Sequence, residues 1–347
     1  MTRSRLDQIL SRFPSATIAV VGDFFLDKYL EVDPALSEVS LETGLEARQV
    51  VRVRCQPGAA GTIVSNLSAL GVGRVVCIGF VGDDGEGFEL VRGLRQMGAE
   101  TSGLMVWRDR CTPTYCKTLT REGGGLRELE RVDTKNREPI PDELDEALVG
   151  ELRHAALEAS GVLAQDQVQE AECGAITARV RDALAELATQ HPEKVWFGDS
   201  RTRIGEYRNL IVKPNREECC AAVHAGSPAH DSHGAQQCAR ELSRRAGRAV
   251  YLTLGDQGMA LVTPESASVI PTARLQGELD IVGAGDSATA GIVSALCAGA
   301  TPEEAAVMGN IVASVTVQQI GTTGTATPEQ VREQFQRFER VWGECTP

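Results

Sequence analysis

Residues 280–286 read Asp-Ile-Val-Gly-Ala-Gly-Asp and run directly into the apolar stretch 288–300. The order predicts an extended segment, a turn of small residues and then a helix. Within that helix Ala288, Ile292, Ala295 and Leu296 fall at spacings of three and four and share one face. Gly283, Ala284 and Gly285 carry almost no side chain. The backbone there can approach a ligand closely and turn its N–H groups into one concavity. Those groups lie at the positive end of the helix, which favours an anion. Asp286 adds a carboxylate in the first helical turn. An anion cradle beside a carboxylate suits phosphoryl transfer to a hydroxyl, with donors for the transferring oxygens and an acceptor for the alcohol's proton. A plain glycine-rich turn with an Asp near a helix start has the same local spelling, so the rest of the chain must decide.

β-rich runs at 17–21, 74–81, 161–164, 195–197, 210–212 and 249–254 alternate with helical stretches. Such alternation predicts an α/β fold, a doubly wound and mostly parallel sheet flanked by helices. A length of 347 residues is ample for a buried core. The net charge of −13 argues against nonspecific nucleic-acid or anionic-membrane binding, so an anionic nucleotide would have to be held by local donors or a metal ion. No apolar run approaches about 18 residues, and residues 1–14 lack a signal-peptide core, so a cytoplasmic protein is expected. The 10 cysteines contain no C-x-x-C and read as reduced, mostly structural thiols. His224, His230 and His233 cluster near Asp231 in an Ala-Gly-Ser-Pro setting that reads as a surface loop.

Other polar motifs sit at predicted strand ends. Gly22-Asp23-Phe24-Phe25-Leu26-Asp27-Lys28-Tyr29 follows the first strand, where open α/β sheets bind ligands. Residues 31–56 turn to period-two alternation at Val51, Val53 and Cys55, and 112–133 form two β-rich runs around Gly123-Gly124-Gly125. Gly58-Ala59-Ala60-Gly61-Thr62 enters a helix, Gly82-Asp83-Asp84-Gly85 opens another, and 170–190 is expected to be helical throughout. Asn215-Arg216-Glu217-Glu218 places Asn215 and Glu218 on one face of a helix start, as a capping pair or as ligands. Thr253, Gly255 and Gly258 mark a turn between two strands.

D-x-x-G-A-G-D before an Ala-rich helix resembles the signature of the PfkB, or ribokinase-like, family of carbohydrate kinases. G-D-x-x-x-D at 22–27 and N-x-x-E at 215–218 resemble two further family motifs, in the right order, and the likeness spans roughly 17–325. The form G-D-x-x-L-D-x-Y is closer to the heptose 7-phosphate kinases. The resemblance implies one kinase domain over 1–347 with a small β-lid from about 31–56 and 112–133. It implies Asp286 as general base with the 283–285 backbone as anion hole, and Asp23, Asp27, Gly58, Thr62, Lys117 and Arg131 at the sugar. Asn215, Glu218, Thr253, Gly255, Gly258 and Asn310 would serve ATP, with Glu218 reaching Mg²⁺ through water. Gly321-Thr322-Thr323-Gly324 would lie near a K⁺ site, and the lid edge would suit a homodimer.

The chain departs from the family pattern at Ala59, where the second Gly stands, and at Thr62, where the sugar-binding Asn stands. Glu38, Leu119 and Gln169 occupy basic positions of the heptose kinases. Loss of those basic groups suggests a sugar without a second phosphate or a site rebuilt by other arginines, so the acceptor expected is a sugar or a sugar phosphate. Ala59 and Thr62 keep a second expectation open, a kinase-fold protein that binds nucleotide or sugar without turnover.

Overall fold

The structure is a computed structural model that describes residues 1–122, 125–223 and 232–343. Helix α1 (Arg3–Leu10) precedes β1 (Thr17–Gly22), and one residue later the chain enters β2 (Phe24–Val32). A short pair, β3 (Glu38–Val39) and β4 (Glu46–Ala47), leads to β5 (Val50–Ala59), α2 (Ala60–Ala69), β6 (Arg74–Gly82), α3 (Gly85–Gln96) and β7 (Glu100–Trp107). Next come β8 (Thr114–Glu122), β9 (Gly125–Thr134), α4 (Asp142–Glu158), β10 (Gly161–Asp166), α5 (Ala178–Gln190), β11 (Val195–Ser200) and β12 (Ile211–Val212). Helices α6 (Arg216–Val223) and α7 (Ser232–Ala246) precede β13 (Val250–Thr253), β14 (Met259–Val262) and β15 (Ala267–Ile270). Four helices follow: α8 (Ala284–Cys297), α9 (Pro302–Thr316), α10 (Pro328–Arg337) and α11 (Glu339–Gly343).

Nine strands form the main sheet in the order β15-β14-β13-β12-β11-β10-β1-β6-β7. All neighbours from β7 across to β13 run parallel, and β14 and β15 close that edge antiparallel. Both faces are covered, as parallel sheets require. Strand β1 shows why: Ile18 and Val20 join the core beneath α2, α8 and α9, while Ala19 and Val21 join the core beneath α4 and α5. The expected α/β class is therefore the observed one. Strand order reverses beside β1, whose neighbours β6 and β10 lie on opposite sides, and ligand sites of open sheets form at such points.

A second sheet, β5-β2-β8-β9, has four strands. Residues 24–32 thus form a strand that leaves the main sheet, pairs antiparallel with β5 and parallel with β8, and carries Asp27 with it. Period two places Asp27, Tyr29 and Glu31 on one face, with Tyr115 and Lys117 of β8 in register beside Asp27 and Tyr29. The helix expected from Glu170 starts only at Ala178, with Thr177 as its N-cap. Gly123, Gly124, His224, His230 and Asp231 lie outside the described residues, so the turn between β8 and β9 and most of the histidine cluster do too. No helix among the described residues is long and apolar enough to cross a membrane.

Candidate active site

The C-terminal ends of four adjacent strands build one wall of a cleft. Gln165 of β10 and Asp199 of β11 are register partners, Lys213 follows β12, and Thr253 ends β13, bridged to Asn215. The N-terminus of α8 supplies the floor with Gly283, Gly285 and Asp286. Asp27, Tyr115, Lys117 and Arg131 face the same cleft from the second sheet. Residues distant in sequence therefore converge because two sheets and one helix end meet there.

Gly283 adopts φ +78 as the N-cap of α8, a left-handed conformation that glycine reaches without Cβ strain. Of the three N–H groups expected in the anion hole, that of Ala284 already donates to the Ile281 carbonyl at 3.1 Å. Those of Gly283 and Gly285 have no acceptor among the described residues. The cradle is thus narrower than the motif suggests.

Asp286 is pushed up to about 7 by burial first and then by Asp199, against the pull of Lys213 and Arg201. A carboxylate poised near neutrality can take a proton from a hydroxyl. Asp27 is raised to about 6 by burial, with Lys117 and Arg131 opposing. Gly58 leaves room for this position of the carboxylate, since a Cβ there would lie 2.6 Å from Asp27 Oδ2. Lys117 and Arg131 stack over the rings of Tyr29 and Tyr115 at 5.6 and 4.5 Å, and Arg131 is bound bidentately by Asp133. Thr62 also lines the cleft, with its methyl 3.4 Å from the Cβ position of Gly283.

Asn215 and Glu218 cap α6 reciprocally: Glu218 N–H donates to Asn215 Oδ1 at 2.9 Å, and Asn215 N–H donates to Glu218 Oε2 at 2.8 Å. Both also line the cleft, so the cap is built into the cleft wall. Glu218 is raised by burial and by Asp199. Carboxylates of this kind fit a hydrated Mg²⁺, a hard ion that prefers oxygen donors.

Several expected site residues lie elsewhere. Asp23 is 5% exposed, and its carboxylate accepts from the backbone N–H groups of Gln167, Val168 and Ala175 at 2.8, 2.8 and 2.6 Å. It clamps the segment after β10 and is absent from the lining of the cleft that holds Asp27 and Asp286. Asn310 is buried in α9, where its amide donates to the Ile270 and Pro271 carbonyls. Gly255 and Gly258 form the turn after β13 with φ +63 and +95, and only Thr253 of that group is on the cleft wall.

Lys213 was not singled out by its sequence context. Its Nζ is 3.0 Å from Asp199 Oδ2, and that oxygen also accepts from Thr289 Oγ1 at 2.8 Å. Burial pulls the lysine down, but Asp199, Glu218 and Asp286 outweigh it and the net shift is upward. The Lys213 ammonium stands 3.6 Å from the Cβ position of Gly285, beside the glycine turn. The Lys-Pro-Asn spelling was the available signal, but a lysine at a strand end reads as solvated until burial is known.

A family model, pfkB family carbohydrate kinase, matches residues 18–330. The chain is 28% identical over 330 residues to the bifunctional protein HldE of Desulfatibacillum aliphaticivorans, covering 94% of this chain and 64% of that protein. It is 26% identical over 334 residues to HldE of Trichlorobacter lovleyi, covering 95% and 65%. The chain therefore spans just under two thirds of the length of these relatives. Among solved structures, Arabidopsis thaliana ribokinase complexed with ribose and ATP superposes with a TM-score of 0.68 at 18% identity, over 92% of this chain and 98% of that one. Phosphofructokinase-2 of Escherichia coli in complex with substrates and products gives 0.68 at 16% identity, over 94% and 100%. Fold, motif order and the family match converge, and the chain belongs to the pfkB family of carbohydrate kinases.

Proposed function

We propose that this chain transfers the γ-phosphoryl group of ATP to a hydroxyl of a sugar phosphate, of the kind represented by a heptose 7-phosphate phosphorylated at its anomeric position. The observation that carries this reading is Asp286, set on the first turn of α8 and facing the same cleft as Asp27 on the opposite sheet. Lys213 stands beside the glycine turn. The acceptor oxygen would form its bond to the γ-phosphorus while the bond to the ADP oxygen breaks, and the acceptor proton would pass to Asp286. Lys213 and the N–H groups of Gly283 and Gly285 would meet the charge on the transferring oxygens. Asp27 would orient the acceptor's hydroxyls, and Lys117 and Arg131 would face a second phosphate. Glu218 and Asp199 would hold Mg²⁺ through its waters, and the ion would neutralise phosphate charge.

The 28% identity to HldE and the heptose-kinase spelling at 22–29 support the choice of acceptor. One kinase domain carrying the four-stranded sheet as its lid, a K⁺ site near 321–324, and pairing of two copies through the exposed Val39, Leu41, Val51 and Val53 belong to the same proposal.

The test is ADP release from Mg²⁺-ATP against sugars and sugar phosphates, with Asp286→Asn in parallel. Turnover with a heptose 7-phosphate, reduced by about 10³-fold in the variant, is the expected result. Turnover only with an unphosphorylated sugar would discard the acceptor. Nucleotide binding without ADP release on any acceptor would favour a binding protein, which Ala59 and Thr62 at the sugar wall would then explain.

A further inference from the structure

Gln165 interrupts a strand that is otherwise apolar from Gly161 to Ala164 and lies at the centre of the main sheet, between Gly22 of β1 and Asp199 of β11. It is 4% exposed yet contributes to the cleft wall. Its Nε2 donates to Asp286 Oδ1 at 3.5 Å, the long end of hydrogen-bond range. Its Oε1 is buried, and no donor among the described residues reaches it. Toward the ionised form of Asp286, which only accepts, the amide nitrogen is the matching atom. A buried amide oxygen without a donor destabilises a fold, whereas methionine would fill similar space without that penalty. The amide is therefore an expensive choice for packing and an apt one for a site.

We infer that Gln165 positions the base and reads the acceptor: Nε2–H fixes Oδ1 of Asp286, leaving Oδ2 for the reacting hydroxyl, and Oε1 accepts a hydrogen bond from a neighbouring hydroxyl of the same molecule. The inference rests on Asp286 being the base of the proposed reaction. It names the acceptor class as a vicinal diol, because an oxygen that only accepts would repel a phosphate or carboxylate in that place. Long contacts of this kind tighten when a substrate docks. Asp286 is faced as well by Asp199 of β11, Lys213 after β12, Arg201 and Asp27 of β2. The effect of Gln165 is therefore read as a difference between proteins in which these charges are unchanged.

Gln165→Met keeps the length and removes both polar atoms. The titration of Asp286 is followed by ¹³C-carboxyl NMR, its signal assigned by its absence in Asp286→Asn. Loss of the donor disfavours the ionised form, so the midpoint in Gln165→Met is expected about half a pH unit or more above that of the unaltered protein. With an accepted sugar, kcat is expected to fall about tenfold while KM for ATP is unchanged. An analogue lacking the neighbouring hydroxyl is expected to be a poorer substrate for the unaltered protein but not for the variant. An unmoved midpoint in a folded variant, judged by circular dichroism, overturns the inference. Should Gln165→Met not fold, Gln165→Asn, one methylene shorter, withdraws the donor and is held to the same shift. The NMR readout does not require turnover, so an absence of kinase activity would overturn the proposed function separately.

Discussion

Ala59 has φ +52 and ψ −118, a conformation that an alanine side chain resists and glycine accepts freely. It joins β5 to α2 immediately after Gly58, whose missing Cβ makes room for Asp27. Ala59→Gly is expected to stabilise the protein by about 1 kcal/mol, seen as a rise in midpoint by chemical denaturation. Gly58→Ala is expected to displace the Asp27 carboxylate and weaken sugar binding at least about tenfold by calorimetric titration, with ATP binding unchanged. Asp286 is raised to about 7, so the base proposed for the reaction is protonated as pH falls. The expected profile of kcat/KM has an acid limb near pH 7 that an unperturbed aspartate would not show.

Two short segments decide how the strand ends present their residues. The segment after β10 wraps around Asp23, and Gly174 permits it, since a Cβ there would lie 2.5 Å from Asp23 Oδ1. Arg203 holds the same segment through Asp166 at 2.5 Å and through the carbonyls of Gln169 and Val168. Within the stretch expected to be helical, Ala175 N–H is spent on the Asp23 carboxylate and not on a helical turn, and the helix starts at Ala178 behind the Thr177 cap. Asp23→Asn can satisfy only part of this set, so the amides of Gln167, Val168 and Ala175 are expected to exchange at least about tenfold faster, read by hydrogen-exchange mass spectrometry. At the start of α6, Glu218→Gln retains an acceptor for Asn215 N–H but loses the charge. Its thermal stability is expected to stay within about 1 kcal/mol while Mg²⁺-dependent turnover falls about tenfold or more.

Three buried acids give the whole molecule an unusual response to pH. Asp23 and Asp27 are raised to about 6, and Asp286 to about 7, each first by burial. Unfolded aspartates titrate near about 3.9, so between these values the folded protein holds protons that the unfolded chain releases. Stability from this source is present below about pH 4 and is lost as pH rises through 6 to 7. The expected outcome is a melting temperature lower at pH 8 than at pH 5 by on the order of 5 °C, measured by scanning calorimetry. The triple replacement of these acids by asparagine is expected to flatten that difference.

Much of this molecule is dictated locally and can be read in the chain. Alternating β-rich and amphipathic runs specify a parallel sheet with two covered faces. Asp280–Asp286 specifies a helix start of small residues, and Asn215 and Glu218 specify a reciprocal helix cap. Other properties depend on neighbours hundreds of residues apart. Asp23 and Asp27 lie four positions apart with the same side chain, yet one is consumed by three backbone N–H groups and the other faces the cleft. Lys213 becomes a fixed cation only when Asp199 arrives on the next strand, and Gln165 meets Asp286 only because β10 ends beneath α8. Burial and long-range hydrogen bonding set the charge and reach of a polar side chain, and neither exists until the sheets have closed.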